Sequence, residues 1–275
     1  MKITIIGCGY VGTAVARFLK EESHVLTVTT TTPDRVEQLS QIASRVVVMK
    51  GGDREQMLEV VKNADVVLLS VGARTRNFDI YRETYLGTAQ NLVAALQETG
   101  RVRQLIYTSS HGVLGDKQGA WVDETTPVAP INENGRVLVE MEEVLLGAAT
   151  DKLKVCVLRL AGIYGPGREL INIFRSWSGT TRPGTGENYT NWVHLDDIVA
   201  GIELVRKQEL EGIYHLSCDV PMVRREFFDC LFQVHGLTPL SWDGSNSTVP
   251  SYNVRLSNTR IKKMGFKLIW DKIKF

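Results

Sequence analysis

A short apolar run followed at once by a glycine turn constrains this chain most. Ile3-Thr4-Ile5-Ile6 has the composition of a buried strand, and Gly7-Cys8-Gly9-Tyr10-Val11-Gly12 follows without a linker. Val11, Ala14, Val15, Phe18 and Leu19 then fall on helical spacing. Strand, G-x-G-x-x-G and helix in that order form a βα turn suited to a pyrophosphate. Each glycine has its own task. Gly7 permits a tight turn off the strand, Gly9 lets a phosphate approach the backbone, and Gly12 lets the helix lie close to the sheet. The helix N-terminus supplies amide N–H groups and the positive end of its dipole. Gly7, Gly9, Tyr10, Val11 and Gly12 therefore predict a dinucleotide site, with a ligand-free structural turn as the alternative.

The pattern repeats downstream. Val-, Ile- and Leu-rich runs at 3–6, 25–29, 45–49, 65–71, 104–109 and 155–160 predict strands. They lack clean two-residue alternation, as strands buried on both faces should. Helical segments at 11–21, 33–43, 53–63, 79–98 and 133–148 lie between them. Six βα units predict an α/β fold of Rossmann type, a doubly wound parallel sheet with its ligand crevice at the carboxyl ends of the strands. After residue 165 the pattern loosens into Gly- and Pro-rich loops. A helix near 196–207, a strand near 212–217, a helix near 224–235, a turn-rich stretch at 238–253 and a short helix near 257–264 complete the chain. The expected division is a nucleotide-binding domain over 1–165 and a small C-terminal substrate lobe over 166–275, with about 190–220 returning to the first.

Composition narrows the partners. A formal net charge of +1 gives no cationic surface for nucleic acid or membrane, and no run approaches a membrane span. The N-terminal apolar run is too short for a signal peptide. Cys8, Cys156, Cys218 and Cys230 form no C-x-x-C pair and sit in or beside apolar runs. Buried thiols in a reducing, cytoplasmic setting are expected, with no metal site.

The second strand ends in Thr29-Thr30 and is followed by Thr31-Thr32-Pro33-Asp34-Arg35. An acidic residue about 20 positions after the glycines would hold a ribose 2′-hydroxyl, as in NAD sites. Threonine stands there instead, so Thr30 and Arg35 favour NADP over NAD. The alternative is that Thr30–Pro33 simply caps the next helix.

Further ordered motifs follow the glycine turn: Gly51-Gly52-Asp53, Asp65–Gly72, Tyr85–Leu92, Leu105–Gly115, Asp123-Glu124-Thr125-Thr126-Pro127, Arg159–Gly167 and Trp192–Ile198. Together they resemble the extended short-chain dehydrogenase/reductase family, which includes nucleotide-sugar epimerases and dehydratases. The resemblance covers most of the chain. It implies that Asp53 meets the adenine amine and that Ser70, Val71 and Gly72 contact the cofactor. It further implies that Ser110 orients a substrate oxygen, and that a homodimer forms through 79–98 and 133–148. The chain departs from the family in its turn, which is shorter than the more common G-x-x-G-x-x-G.

A larger departure lies at the reaction centre. The family's Tyr-x-x-x-Lys pair exchanges a proton with substrate and binds the ribose. Gly135-Arg136 sets the register, so Asn134 stands at the tyrosine position and Leu138 at the lysine position. Asparagine has no proton to give near neutral pH and leucine has no donor. The pattern is similar to the family's atypical branch. Ser110, His111 and Tyr164 are the candidates for the catalytic set, with strand-end capping and packing as their alternatives. His194, Asp196 and Asp197 predict a helix start, with the acids at the positive end. Two functions are consistent with these residues. One is an NAD(P)-dependent oxidoreductase or epimerase/dehydratase-like enzyme acting on a sugar nucleotide or other small carbonyl or hydroxyl compound. The other is an inactive NADP-binding sensor or interaction protein.

Overall fold

A computed structural model describes residues 1–73, 75, 77–245 and 252–275. The N-terminal half alternates β1 (Lys2–Ile6), α1 (Tyr10–Glu21), β2 (Val25–Thr30), α2 (Val36–Ser40), β3 (Arg45–Val48), α3 (Arg54–Val61) and β4 (Val66–Leu69). Next come α4 (Phe78–Arg82), a π turn over Glu83–Gly87, α5 (Thr88–Thr99), β5 (Gln104–Ser110), β6 (Trp121–Val122), α6 (Glu133–Leu146) and β7 (Lys154–Leu160). The remainder is β8 (Gly162–Tyr164), α7 (Leu170–Phe174), β9 (Thr181–Arg182), β10 (Tyr189–Thr190), β11 (Trp192–His194), α8 (Leu195–Gln208), β12 (Gly212–Leu216), β13 (Met222–Val223), α9 (Arg224–Val234), β14 (Ser241–Trp242), β15 (Arg255–Leu256) and α10 (Thr259–Lys263). The turn-rich stretch expected at 238–253 contains β14, and its residues 246–251 lie outside the described residues.

Seven strands form one sheet in the order β12-β7-β5-β4-β1-β2-β3. β1 pairs in parallel with both β2 and β4, so the winding reverses beside β1. That reversal sets the crevice at the carboxyl ends of β1 and β4. β4 is buried along its whole length, which explains its unbroken Val-Val-Leu-Leu run. On α1, Val11, Val15 and Leu19 recur every four residues and face the sheet. The expected helix at 33–43 is a 3₁₀ turn over Pro33–Arg35 followed by α2.

The chain divides into two compact units. The first comprises 1–110, 132–159 and 199–214; the second comprises 111–131, 160–198 and 215–275. This differs from the expected cut at 165, because 111–131 and 160–165 group with the C-terminal part and only 199–214 return. The first unit's core includes Val67, Leu69, Leu92, Leu105, Tyr107, Met141 and Val157. The second is built on aromatic packing. Trp192 stacks on Phe227 with ring centroids 5.4 Å apart, and Phe228, Phe232 and Tyr164 surround them. Each such ring pair contributes about 0.5–1.5 kcal/mol beyond its buried area.

Candidate functional site

The glycine turn is fastened to two neighbouring strands. Gly7 adopts φ +86°, and a Cβ there would lie 2.7 Å from the Ser70 carbonyl oxygen. Only glycine fits this close approach of the β1 and β4 ends. Its N–H donates to Thr29 Oγ1 at 3.0 Å, and the Cys8 N–H donates to the Thr29 carbonyl at 2.8 Å. A Cβ on Gly12 would meet the Gly7 carbonyl oxygen at 2.7 Å, so α1 can rest on the turn only with glycine there. Gly9 is different. A Cβ there would meet nothing within 4 Å. As the N-cap of α1 it offers no side chain to the first amides, and no acidic residue stands in the first turn. The result is a cradle open at Gly9 beneath a helix N-terminus, as a pyrophosphate requires.

Arg35 closes one flank of this cradle. Its guanidinium donates to the Cys8 carbonyl at 2.5 Å and to Thr13 Oγ1 at 3.1 Å. Thr13 in turn donates to the Gly9 carbonyl at 2.6 Å. Thr30 Oγ1 accepts the Thr32 N–H at 3.1 Å, shaping the chain toward Arg35. Beyond Thr31, a cavity of about 530 Å³ is lined by Val48, Met49, Lys50, Gly52, Asp53 and Glu83. Asp53 lines it while its carboxylate caps α3, accepting from the Gln56 N–H at 3.1 Å. A Cβ on neighbouring Gly51 would collide with Thr88, which explains that glycine as packing.

Ser70, Val71 and Gly72 lead off β4, and Gly72 is exposed. Ser70 Oγ accepts from Thr108 Oγ1 at 3.1 Å, joining the ends of β4 and β5. Ser110, half-buried, ends β5. On α6, Asn134, Leu138 and Glu142 follow every fourth residue and share one face. Asn134 is half-buried and Leu138 is buried. Glu142 is buried with Arg159, whose Nη2 lies 2.7 Å from it, and it accepts from Ser109 Oγ at 2.6 Å. This triad was not read from the sequence. An acid eight residues beyond Asn134 was the only signal.

His111 and Tyr164 belong to the second unit. His111 Nδ1 sits 3.1 Å from the Leu160 carbonyl, and burial lowers the imidazole pKa. Tyr164 is buried, and its hydroxyl accepts the Lys274 N–H at 3.0 Å. Burial pushes that phenol up to about 12. Asp196 and Asp197 stand in the first turn of α8, as expected. Asp197 is fully buried and accepts the backbone N–H groups of Ile269 and Trp270 at 2.6 and 3.3 Å. The four cysteines are free thiols, three of them buried. Among the described residues no helix is long and apolar enough to cross a membrane, and no group of His, Cys, Asp and Glu could hold a metal.

Strand order and glycine turn together define a doubly wound α/β protein of the dinucleotide-fold class. The model of the NAD dependent epimerase/dehydratase family matches residues 3–216. The chain belongs to that family. Protein YeeZ of Escherichia coli strain K12 is 35% identical over 248 residues, covering 86% of this chain and 85% of that protein. A functionally unknown conserved protein from Silicibacter pomeroyi superposes with a TM-score of 0.81 at 25% identity, over 98% of this chain and 94% of that one. A UDP-glucose 4-epimerase of Thermus thermophilus, solved with NAD, superposes at 0.83 and 19% identity, over 100% and 95%, a likeness of fold.

Proposed function

We propose that the chain binds NADP, or NAD less tightly, on the Gly7–Gly12 turn and acts as an NAD(P)-dependent oxidoreductase or epimerase/dehydratase-like enzyme. The observation that carries the proposal is the open cradle at Gly9 under an uncapped helix end. The NAD in the Thermus epimerase structure supports dinucleotide binding on this fold, without bearing on the choice of NADP. Bound NAD(P) supplies hydride chemistry at its nicotinamide ring. The chain's own residues do the rest. Gly7, Gly9, Tyr10, Val11 and Gly12 hold the pyrophosphate. Arg35 and Thr30 receive the 2′-phosphate, and Asp53 meets the adenine in the 530 Å³ cavity. Ser70, Val71 and Gly72 border the cofactor's far half.

Ser110 is our choice for the hydroxyl that orients a carbonyl or alcohol oxygen of a small substrate, with sugar nucleotides the first class to try. His111 and Tyr164 rank below it. The first faces a backbone carbonyl, and the second has its hydroxyl engaged by the Lys274 amide. Absorbance at the nicotinamide band, followed across a screen of carbonyl compounds and sugar nucleotides, tests the proposal. Cofactor turnover that Ser110→Ala lowers by about 10²-fold or more supports it. Tight cofactor binding without turnover on any substrate contradicts it. That outcome favours a second reading, a cofactor-binding sensor or interaction protein. Buried Leu138, which stands where the resemblance calls for lysine, is the observation behind that second reading.

A further inference from the structure

A hydroxyl beside the end of β4 has no task in the site described above. β4 leaves the sheet through Ser70, Val71 and Gly72, and the next residue, Ala73, donates its N–H to the Tyr85 hydroxyl at 3.4 Å. Tyr85 lies on the π turn over Glu83–Gly87, between α4 and α5. A π turn inserted between α-helical stretches changes the direction in which its side chains leave the helix, and such turns are frequent at functional sites. The Tyr85 ring packs on Tyr81 with centroids 4.4 Å apart, which holds it in place.

The hydroxyl is only lightly engaged. A phenol can accept and donate at once. The Tyr85 oxygen accepts one bond, longer than the usual distance of about 2.9–3.0 Å, and its own proton reaches no acceptor among the described residues. The side chain is half-buried. α6 packs against the same π turn, and Arg82 of α4 lies 3.5 Å from Glu140 of α6. On α6, the position where the resemblance calls for a ribose-binding lysine holds Leu138, which is buried and has no donor. The helix that lacks the donor is therefore packed on the turn that presents one.

The direction of the cofactor follows from the strand order. Arg35 and Asp53 follow β2 and β3, which lie on one side of β1, and they take the adenosine end. A dinucleotide whose pyrophosphate rests on Gly7–Gly12 then extends its other end over β4, past Gly72. We infer that the Tyr85 hydroxyl donates to the ribose that carries nicotinamide, a binding task that Leu138 cannot perform. This assignment rests on the cofactor site proposed above. It comes from the π turn of this chain, outside the Tyr-x-x-x-Lys helix. A phenol brings no positive charge, so only the binding of the ribose passes to Tyr85.

Three ligands separate the parts of the cofactor. NADPH is complete, 2′-phospho-ADP-ribose keeps the second ribose without nicotinamide, and adenosine 2′,5′-bisphosphate lacks both. Each is titrated by calorimetry into full-length wild type and into Tyr85→Phe, which keeps the ring and removes the hydroxyl. Tyr85→Phe should weaken NADPH and 2′-phospho-ADP-ribose by about three- to tenfold, the loss of one neutral hydrogen bond, and should bind adenosine 2′,5′-bisphosphate within about twofold of wild type. Retained bisphosphate affinity also shows that the variant is folded. Equal affinity of the two proteins for all three ligands overturns the assignment. A loss confined to NADPH overturns it too, because the hydroxyl then serves nicotinamide and not the ribose. An equal loss for all three makes Tyr85 a brace for the end of β4 and likewise overturns it. Wild type that binds none of the three refutes the cofactor site itself, and the assignment falls with it.

Discussion

Arg35 illustrates how one side chain can serve a fold and a ligand together. Its two contacts, to the Cys8 carbonyl and to Thr13, brace the outside of the glycine turn. Both leave the guanidinium beside the turn, where a ribose phosphate would sit. A charge-assisted hydrogen bond to such a phosphate is worth about 1.5–3 kcal/mol. Arg35→Gln should therefore weaken NADPH by about ten- to a hundredfold and NADH by less than about threefold, measured by nicotinamide fluorescence titration. Equal losses for both cofactors would assign Arg35 to the turn's structure alone. Nothing in the local sequence announces these contacts, because Arg35 and Cys8 are 27 residues apart. Thr29, which anchors the Gly7 amide, was invisible for the same reason. The glycine spacing was legible because each glycine answers to a local steric demand. The residues that hold the turn in place answer to the packing of β1 against β2.

At the scale of elements, α6 and the segment beyond α10 are the informative cases. α6 carries Asn134 and Leu138 on the face that continues to Glu142, and Glu142 is locked to Arg159 of β7. Both side chains are only 4% exposed. Removing one partner leaves a buried charge uncompensated, so Glu142→Gln should cost about 3–5 kcal/mol in a denaturant melt. A loss under about 1 kcal/mol would contradict that role. The C-terminal segment depends on Asp197, whose carboxylate receives two of its backbone amides. Burial raises the Asp197 pKa from 3.8 to about 6. A folded-state pKa above the unfolded one favours the protonated form. The stabilisation is therefore full below about pH 4 and is lost as pH rises toward about 6, by up to about 3 kcal/mol. The difference between wild-type and Asp197→Asn stability curves should fall across that window; a flat difference would contradict the assignment. Strands and helices were readable here from periodicity. The clamp was not, since an Asp in a helix's first turn usually serves the helix dipole, and this one also reaches a segment 72 residues away.

For the whole molecule, the order of βα units specified the sheet, because parallel strands joined by helices admit few windings. The division into units was less legible. Residues 111–131 group with the C-terminal part, and that follows from long-range packing such as the parallel β6–β15 pair. Composition shifted only near 165, so the earlier excursion carried no local sign. A doubly wound sheet brings β1 and β4 together so that Gly7–Gly12 can hold a dinucleotide. Gly7 and Gly9 separate fold from binding. Gly7→Ala should destabilise the protein by about 1–3 kcal/mol, since a methyl would meet the Ser70 carbonyl in a left-handed backbone. Gly9→Ala places its methyl in open space. Titrating NADPH into wild type and Gly9→Ala, with melting temperatures recorded in parallel, is the most direct measurement. Wild type should bind NADPH and be stabilised by about 2.7 kcal/mol at a hundredfold excess over Kd. Gly9→Ala should melt close to wild type yet bind at least about tenfold more weakly. Equal affinity of the two proteins, or no binding of NADPH or NADH by the wild type, would contradict dinucleotide binding on this turn.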